Sequence, residues 1–85
     1  MYVICVYDVD EKKCAKVMKY LRKYMFHVQN SVFEGELTPA MFQQVKYDLE
    51  QMISSDESVM FYYSHENKKL KRDVIGKKKD LNIII

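Results

Sequence analysis

The sequence predicts an α+β protein in which two helices cover one face of a single antiparallel sheet. Two continuous apolar runs, YVICVY at residues 2–7 and VMFYY at residues 59–63, are typical of strands covered on both faces. Between them, two segments repeat apolar side chains at helical spacing, and an extended segment at residues 27–37 separates these helices. This order of elements predicts one small mixed domain.

The composition agrees with a single globular domain spanning residues 1–85. The chain is 48 % apolar and 31 % charged, a balance too apolar for a disordered protein. Its 14 basic and 12 acidic side chains give a net charge of +2, which is compatible with a nucleic-acid partner without requiring one. The first apolar run is too short to span a membrane and lacks the basic flank of a signal peptide. We therefore expect a cytoplasmic protein with no membrane partner.

The first strand ends in two aspartates, Asp8 and Asp10. Asp10 directly precedes a helical pattern over residues 11–25, so it is predicted to cap that helix. Asp8 has two interpretations: a turn or capping residue, or a carboxylate placed at a strand end for chemistry. The two cysteines, Cys5 and Cys14, lack metal or redox spacing and are interpreted as small buried hydrophobes in a reducing compartment.

The middle of the chain contains a glycine within extended structure. Residues 27–37, HVQNSVFEGEL, are compatible with a tight hairpin or with one strongly bent strand, with Gly35 at a bend or bulge. Glu34 and Glu36 alternate around this glycine and therefore share a face of any regular strand.

The second half begins with a clear helix start. Thr38 is a suitable cap and Pro39 suits the first helical position. Apolar side chains then recur at helical spacing as far as residue 53, and the apolar strand at residues 59–63 follows. A polar connection leads to VIG at residues 74–76, which predicts a final short strand.

The resulting order is βαββαβ, the ferredoxin-like arrangement, with one extra short strand at the C-terminal end. Both helices of such a fold lie on one face of the sheet, yet the two apolar strands have apolar side chains on both faces. A second copy of the chain is the simplest cover, so we expect a homodimer packed sheet to sheet. Residues 64–85, a basic C-terminal extension, are predicted to reach the dimer partner.

Three segments together resemble the CRISPR-associated protein 2 family: VYDVD at residues 6–10, VQNSVFEGELT at residues 28–38 and KRDVIG at residues 71–76. The resemblance implies a ferredoxin-like homodimer in which the two copies of Asp8 face each other and hold a divalent metal, Mg2+ or Mn2+. It implies metal-dependent endonuclease activity on RNA or DNA, with Asp8 as the catalytic and metal-binding residue. It also implies a partner, the CRISPR-associated protein 1 integrase, bridged by the dimer on duplex DNA during spacer acquisition.

The sequence departs from some relatives credited with nuclease activity. Those relatives have arginines in the first helix and just before the VQ pair, where this chain has Cys14, Lys16 and His27. Lysine retains the positive charge but lacks the planar fork that binds a phosphate in two places. Glu34 and Glu36 form either a solvated face or part of the integrase contact.

Basic side chains are the predicted nucleic-acid contacts. A dimer doubles them, and paired basic strips are suited to following a phosphate backbone independently of sequence. Two alternatives to the combined nuclease and adaptor remain open: a toxin-type ribonuclease on the same fold, and an adaptor without catalysis. The predicted contact residues are Lys16, Lys68, Lys69, Lys71, Arg72, Lys77, Lys78 and Lys79.

Overall fold

The computed structural model describes residues 1–65 and 68–77. Five strands and two helices follow one another in the predicted order, and the ferredoxin-like fold is confirmed. No helix among the described residues is long and apolar enough to cross a membrane. The elements are β1 (Tyr2–Asp8), α1 (Glu11–Leu21), β2 (Phe26–Gln29), β3 (Val32–Glu36), α2 (Pro39–Met52), β4 (Ser58–Ser64) and β5 (Lys71–Gly76).

The sheet has the strand order β2-β3-β1-β4-β5, with β1 at its centre and antiparallel neighbours throughout. The core lies between one face of this sheet and the two helices. Burial raises the pKa of the Cys5 thiol to about 12, so this cysteine is an unreactive core residue, as predicted. The buried side chains include Val3, Cys5, Val17, Leu21, Phe33, Val45, Leu49, Val59 and Phe61.

Both predicted helix starts are confirmed by their capping hydrogen bonds. The Asp10 carboxylate accepts from the backbone N–H of Lys12 at 2.9 Å, and the Thr38 hydroxyl accepts from that of Met41 at 3.1 Å. Each bond satisfies a backbone donor that has no partner within its helix. Pro39 occupies the first turn, where its missing N–H is not needed.

The first helix is shorter than the apolar pattern predicted. Met25, the last apolar residue of that pattern, lies beyond the end of the helix but is still buried in the core. The helix ends at Leu21, and the Met25 N–H turns back to the Leu21 carbonyl at 2.8 Å. The Met25 backbone then passes over Gly35, where an added Cβ would lie 3.3 Å from the Met25 Cα. Gly35 therefore permits a close approach of two backbone segments within a strand, instead of making a bend.

Residues 27–37 form part of a hairpin, which decides between the two alternatives left open by the sequence. Strands β2 and β3 pair in antiparallel register, with an irregularity between His27 and Gln29. Asn30 in the connecting turn has a φ of 43°, a left-handed conformation that asparagine tolerates.

The last strand begins three residues earlier than predicted and pairs with β4 of the same chain. Asp73 connects it to the helical layer, accepting from Lys46 Nζ at 2.8 Å and from the Tyr63 hydroxyl at 3.3 Å. This partly buried ion pair explains why Asp73 lies inside a strand. The predicted reach of residues 64–85 to a partner subunit stays a prediction, and residues 78–85 lie outside the described part of the chain.

Candidate functional site

Asp8 lies on the face of the sheet that the helices leave uncovered. Along β1, Val3, Cys5 and Tyr7 are buried beneath the helices, while the alternate residues point to the opposite side. Asp8 is the last of those alternate residues and is exposed to solvent. The strand period thus excludes Asp8 from the core and places its carboxylate at one end of the uncovered face.

This uncovered surface, called the open face below, is mostly apolar. In one row Val32, Val6, Met60 and Val74 are consecutive cross-strand partners. At its edge the Phe26 side chain is 78 % exposed. Such a contiguous apolar surface marks an interaction site. The open face comprises Tyr2, Ile4, Val6 and Asp8 of β1, Phe26 of β2, Val32, Glu34 and Glu36 of β3, Met60 and Tyr62 of β4, and Arg72 and Val74 of β5.

The two aspartates at the end of β1 have different environments. The side chain of Asp10 caps α1, and its backbone N–H donates to Glu57 Oε2 at 2.6 Å. Asp8 pairs in register with Ser58 of β4. Asp10 therefore stabilises the start of α1 and its contact with Glu57. Asp8 is positioned by the pairing of β1 with β4.

Glu57 is the residue that the sequence analysis missed. Its carboxylate is buried and accepts from Lys13 Nζ and from the Ser54 N–H, both at 2.7 Å, besides the Asp10 N–H. These donors, the Lys13 ammonium first, lower the pKa of Glu57 from 4.5 to about 2. The signal was present as Ser54-x-x-Glu57, the spacing at which a glutamate reaches back to a serine N–H.

The Glu57 contacts hold together the end of the sheet at which Asp8 lies. The Glu57 carbonyl accepts from the Lys77 N–H at 2.8 Å, which anchors the end of β5. Gly76 has a φ of 80°, and an added Cβ would lie 2.1 Å from that same carbonyl oxygen. Only glycine fits there, so the backbone around Asp8 has a defined geometry.

Replacing Glu57 by glutamine should lower the melting temperature at neutral pH and flatten its dependence on acid. Because folding lowers the Glu57 pKa, its stabilising contribution is complete above about pH 4.5 and is lost as the pH falls towards about 2. Wild-type protein should therefore lose more thermal stability between pH 5 and about 2 than the variant does. Calorimetry across this range measures the difference, with Glu50→Gln on the exposed side of α2 as the control. Parallel pH profiles for wild type and Glu57→Gln would refute this role.

Among the residues that the structure describes, Asp8 alone places a carboxylate on the open face at this end of the sheet. The described residues contain no group of three or more histidine, cysteine, aspartate or glutamate side chains that could hold a metal. Both oxygens of Glu57 already accept hydrogen bonds, so Glu57 is not a second ligand. Mg2+ commonly keeps several waters and needs only one or two carboxylates, so a second copy of Asp8 would complete a suitable donor set.

The predicted basic residues that the structure describes lie on different elements and on different faces. Lys16 is exposed on α1, Lys68 and Lys69 are exposed before β5, and Lys77 is exposed after it. Within β5 the register puts Lys71 on the helical side and Arg72 on the open face. The remaining two predicted contacts, Lys78 and Lys79, lie outside the described residues.

His27 and Tyr7 near this site have structural partners. A ring nitrogen of His27 lies 2.7 Å from the Asn30 carbonyl oxygen, and the ring stacks on Phe33. The backbone N–H of Tyr7 donates to the Ser31 carbonyl at 3.1 Å, and burial raises the pKa of the Tyr7 hydroxyl. His27 therefore stabilises the β2–β3 hairpin, and Tyr7 packs in the core next to Asp8.

Comparison with known proteins agrees with the predicted resemblance. Residues 1–72 match the family model for CRISPR associated protein Cas2. The CRISPR-associated endoribonuclease Cas2 of Thermotoga maritima is 45 % identical over 80 residues, covering 93 % of this chain and 92 % of the relative. The protein of the same name from Methanosarcina acetivorans is 47 % identical over 77 residues, covering 89 % and 88 % of the two chains.

Solved structures give the same result at the level of the fold. A crystal structure of Cas2 superposes with a TM-score of 0.73 at 40 % identity, covering 100 % of this chain and 97 % of the other. The crystal structure of Streptococcus pyogenes Cas2 at pH 6.5 has a TM-score of 0.71 at 38 % identity, covering 79 % and 89 %.

Proposed function

The chain belongs to the CRISPR-associated protein Cas2 family, and we propose that it acts as a homodimeric, metal-dependent endonuclease in CRISPR systems. The similar proteins from Thermotoga maritima and Methanosarcina acetivorans are named endoribonucleases, which favours RNA as the substrate. Duplex DNA is the alternative substrate, and a direct comparison of the two distinguishes them.

The position of Asp8 is the observation that supports this proposal best. An exposed carboxylate ends the central strand of an apolar open face. If two copies pack by this face, a two-fold axis near the end of β1 brings both copies of Asp8 together. The apolar side chains of the open face supply the driving force for that association.

The two Asp8 carboxylates would hold one divalent cation, Mg2+ or Mn2+. When bound, such a cation polarises a phosphate and lowers the pKa of a bound water. The exposed ammonium groups of Lys16, Lys68, Lys69 and Lys77 are suited to holding the phosphate backbone of the substrate. The framework of Glu57 and Gly76 keeps the strand ends in register while the substrate binds.

Removal of divalent metal should abolish cleavage without unfolding the protein. We expect purified protein to cut a single-stranded RNA in Mg2+ or Mn2+, to stop in excess EDTA, and to resume when metal is restored, because the cation would supply the Lewis acid and the bound water that cleavage requires. A gel assay with labelled RNA and a matched duplex DNA measures the activity, and circular dichroism in EDTA checks the fold. Cleavage at an unchanged rate in EDTA would contradict the proposal.

We also propose that the dimer binds duplex DNA and bridges the CRISPR-associated protein 1 integrase during spacer acquisition. Exposed basic side chains on α1 and on the segments that flank β5 support sequence-independent phosphate contacts. This adaptor function does not depend on the Asp8 pair, so it should persist in an Asp8 variant that no longer cuts. If the protein bridges the integrase on duplex DNA but cleaves neither RNA nor DNA, its function is that of an adaptor without catalysis.

A further inference from the structure

The positive charge of the chain is concentrated around the first helix. Residues 11–23 hold six of the fourteen basic side chains and one of the twelve acidic ones, so this segment has a charge of +5. The other 72 residues hold eight basic and eleven acidic side chains, a charge of −3. Such a charge asymmetry within one small domain indicates a surface for a polyanion.

Four of these basic side chains are lysines in a straight row along the outer side of α1. Their spacings of four, three and four residues put them within about 60° of one another around the helix axis and over about 16 Å of its length. All four are exposed, whereas Val17 and Leu21 on the opposite side of the helix are buried against the sheet. The row therefore faces away from the open face. This lysine row comprises Lys12, Lys16 and Lys19 of α1 and Lys23 of the turn that follows it.

The stability of the helix does not explain the lysine row. Lysines three or four residues apart on one helix face repel each other. None of the ion pairs among the described residues includes a lysine of the row. Lys12 lies in the first turn, where the positive end of the helix dipole disfavours a cation. Since a solvated helix face usually intersperses both signs of charge, this row indicates an anionic ligand that follows it.

An exposed aromatic side chain lies beside the lysine row on the second helix. The Tyr20 hydroxyl donates to the Asp48 carboxylate, which joins α1 and α2 side by side at the level of Lys19. Tyr47, the residue before Asp48, is 63 % exposed, whereas the opposite side of α2 is buried. Packed helices are about 8–10 Å apart, so Tyr47 and the lysine row belong to one outer surface.

We propose that this surface, formed by the lysine row and Tyr47, binds single-stranded nucleic acid, one strand on each chain. The ammonium groups contact successive phosphates, and a base of the same strand stacks on the Tyr47 ring, which requires unpaired bases. The inference rests on the nucleic-acid substrate of the proposed function and adds a binding surface on the side opposite to the open face. It requires neither the dimer nor the metal ion.

Strand binding without metal tests this surface separately from cleavage. Fluorescence anisotropy in EDTA measures the affinity for a labelled single-stranded RNA of about ten nucleotides at several salt concentrations. Each phosphate contact on a single strand contributes about 0.7 to the slope of log affinity against log salt concentration. The double variant Lys19→Gln, Lys23→Gln should therefore bind more weakly, with a slope that is smaller by about 1.4. The matched control Lys19→Arg, Lys23→Arg keeps both charges and should retain the slope.

Replacement of Tyr47 tests the stacked base. Tyr47→Ser should weaken binding of the single strand by about 5- to 100-fold, whereas Tyr47→Phe keeps the ring and should bind like wild type. Binding of a duplex of the same length should be insensitive to Tyr47→Ser, because its bases are already paired and stacked. Titration of wild-type protein should saturate at one strand per chain.

Circular dichroism of each variant checks the fold. An unchanged salt slope in the glutamine variant, unchanged binding by Tyr47→Ser, or saturation at one strand per two chains would overturn the inference, while the proposed cleavage at Asp8 would stand. Conversely, strand binding in EDTA that depends on the lysine row and on Tyr47 would support the inference even if the protein neither dimerised nor cut.

Discussion

Replacement of Asp8 by asparagine should abolish metal-dependent cleavage while leaving a folded dimer. Asparagine keeps the size of the side chain but removes the negative charge that a divalent cation requires. Each active dimer loses both carboxylates, so we expect a loss of about a hundredfold or more in the cleavage rate. Initial rates on labelled RNA at saturating Mn2+ measure the effect, and the melting temperature should stay close to that of wild type because Asp8 is exposed.

The matched control is Asp10→Ala, two residues further along the chain. Asp10 caps α1, so this variant should lose roughly 1 kcal/mol of stability, about 4–8 °C in melting temperature, and keep most of its activity. Comparison of the two variants distinguishes a loss of cleavage rate from a loss of folding stability. An Asp8→Asn protein that cuts at the wild-type rate would show that paired carboxylates are not the mechanism.

Replacement of Val6 by lysine should prevent the proposed dimer from forming. The variant should be a folded monomer without cleavage activity. Val6 lies on the open face next to Val32 and Met60, away from the helical core. In the proposed dimer the two-fold axis would bring the two copies of Val6 close together, so the variant would bury two ammonium groups in an apolar interface. Multi-angle light scattering at micromolar concentration should change from about twice the 10.2 kDa chain mass to the mass of one chain.

A lysine at an exposed position on α2 provides the comparison. Gln43→Lys adds the same charge and should leave the dimer mass and the cleavage rate unchanged. If Val6→Lys stays fully dimeric, the open face is not the interface, and the Asp8 pairing that depends on it is wrong as well. If Val6→Lys is a monomer but still cuts, one Asp8 suffices and no shared site is needed.

Much of this fold was predictable because strong local signals agree with the tertiary structure. The caps at Asp10 and Thr38 follow directly from side-chain chemistry at a helix start. The apolar runs of β1 and β4 predicted strands that are apolar on both faces, with one face left uncovered by the helices, and the structure has this arrangement. The resemblance to the Cas2 family, stated from three segments, is confirmed over residues 1–72.

What the sequence did not predict depends on contacts between distant residues. Glu57 stands in no motif that marks it in the sequence as an ion-pair residue, because its role depends on Lys13, 44 residues earlier in the chain. Met25 continued a helical pattern, yet it is buried through the backbone approach to Gly35. Lys71 and Arg72 appeared to be one basic cluster until the pairing of β5 placed them on opposite faces. No local propensity encodes these distinctions.

The stoichiometry of metal binding tests the central claim most directly. Mn2+ titrated into metal-free protein and followed by electron paramagnetic resonance measures bound ion per chain. Two Asp8 carboxylates that share one cation predict one Mn2+ for every two chains, and none at this site in Asp8→Asn. One tightly bound ion per chain, or undiminished binding by Asp8→Asn, would contradict a shared metal site at the two-fold axis.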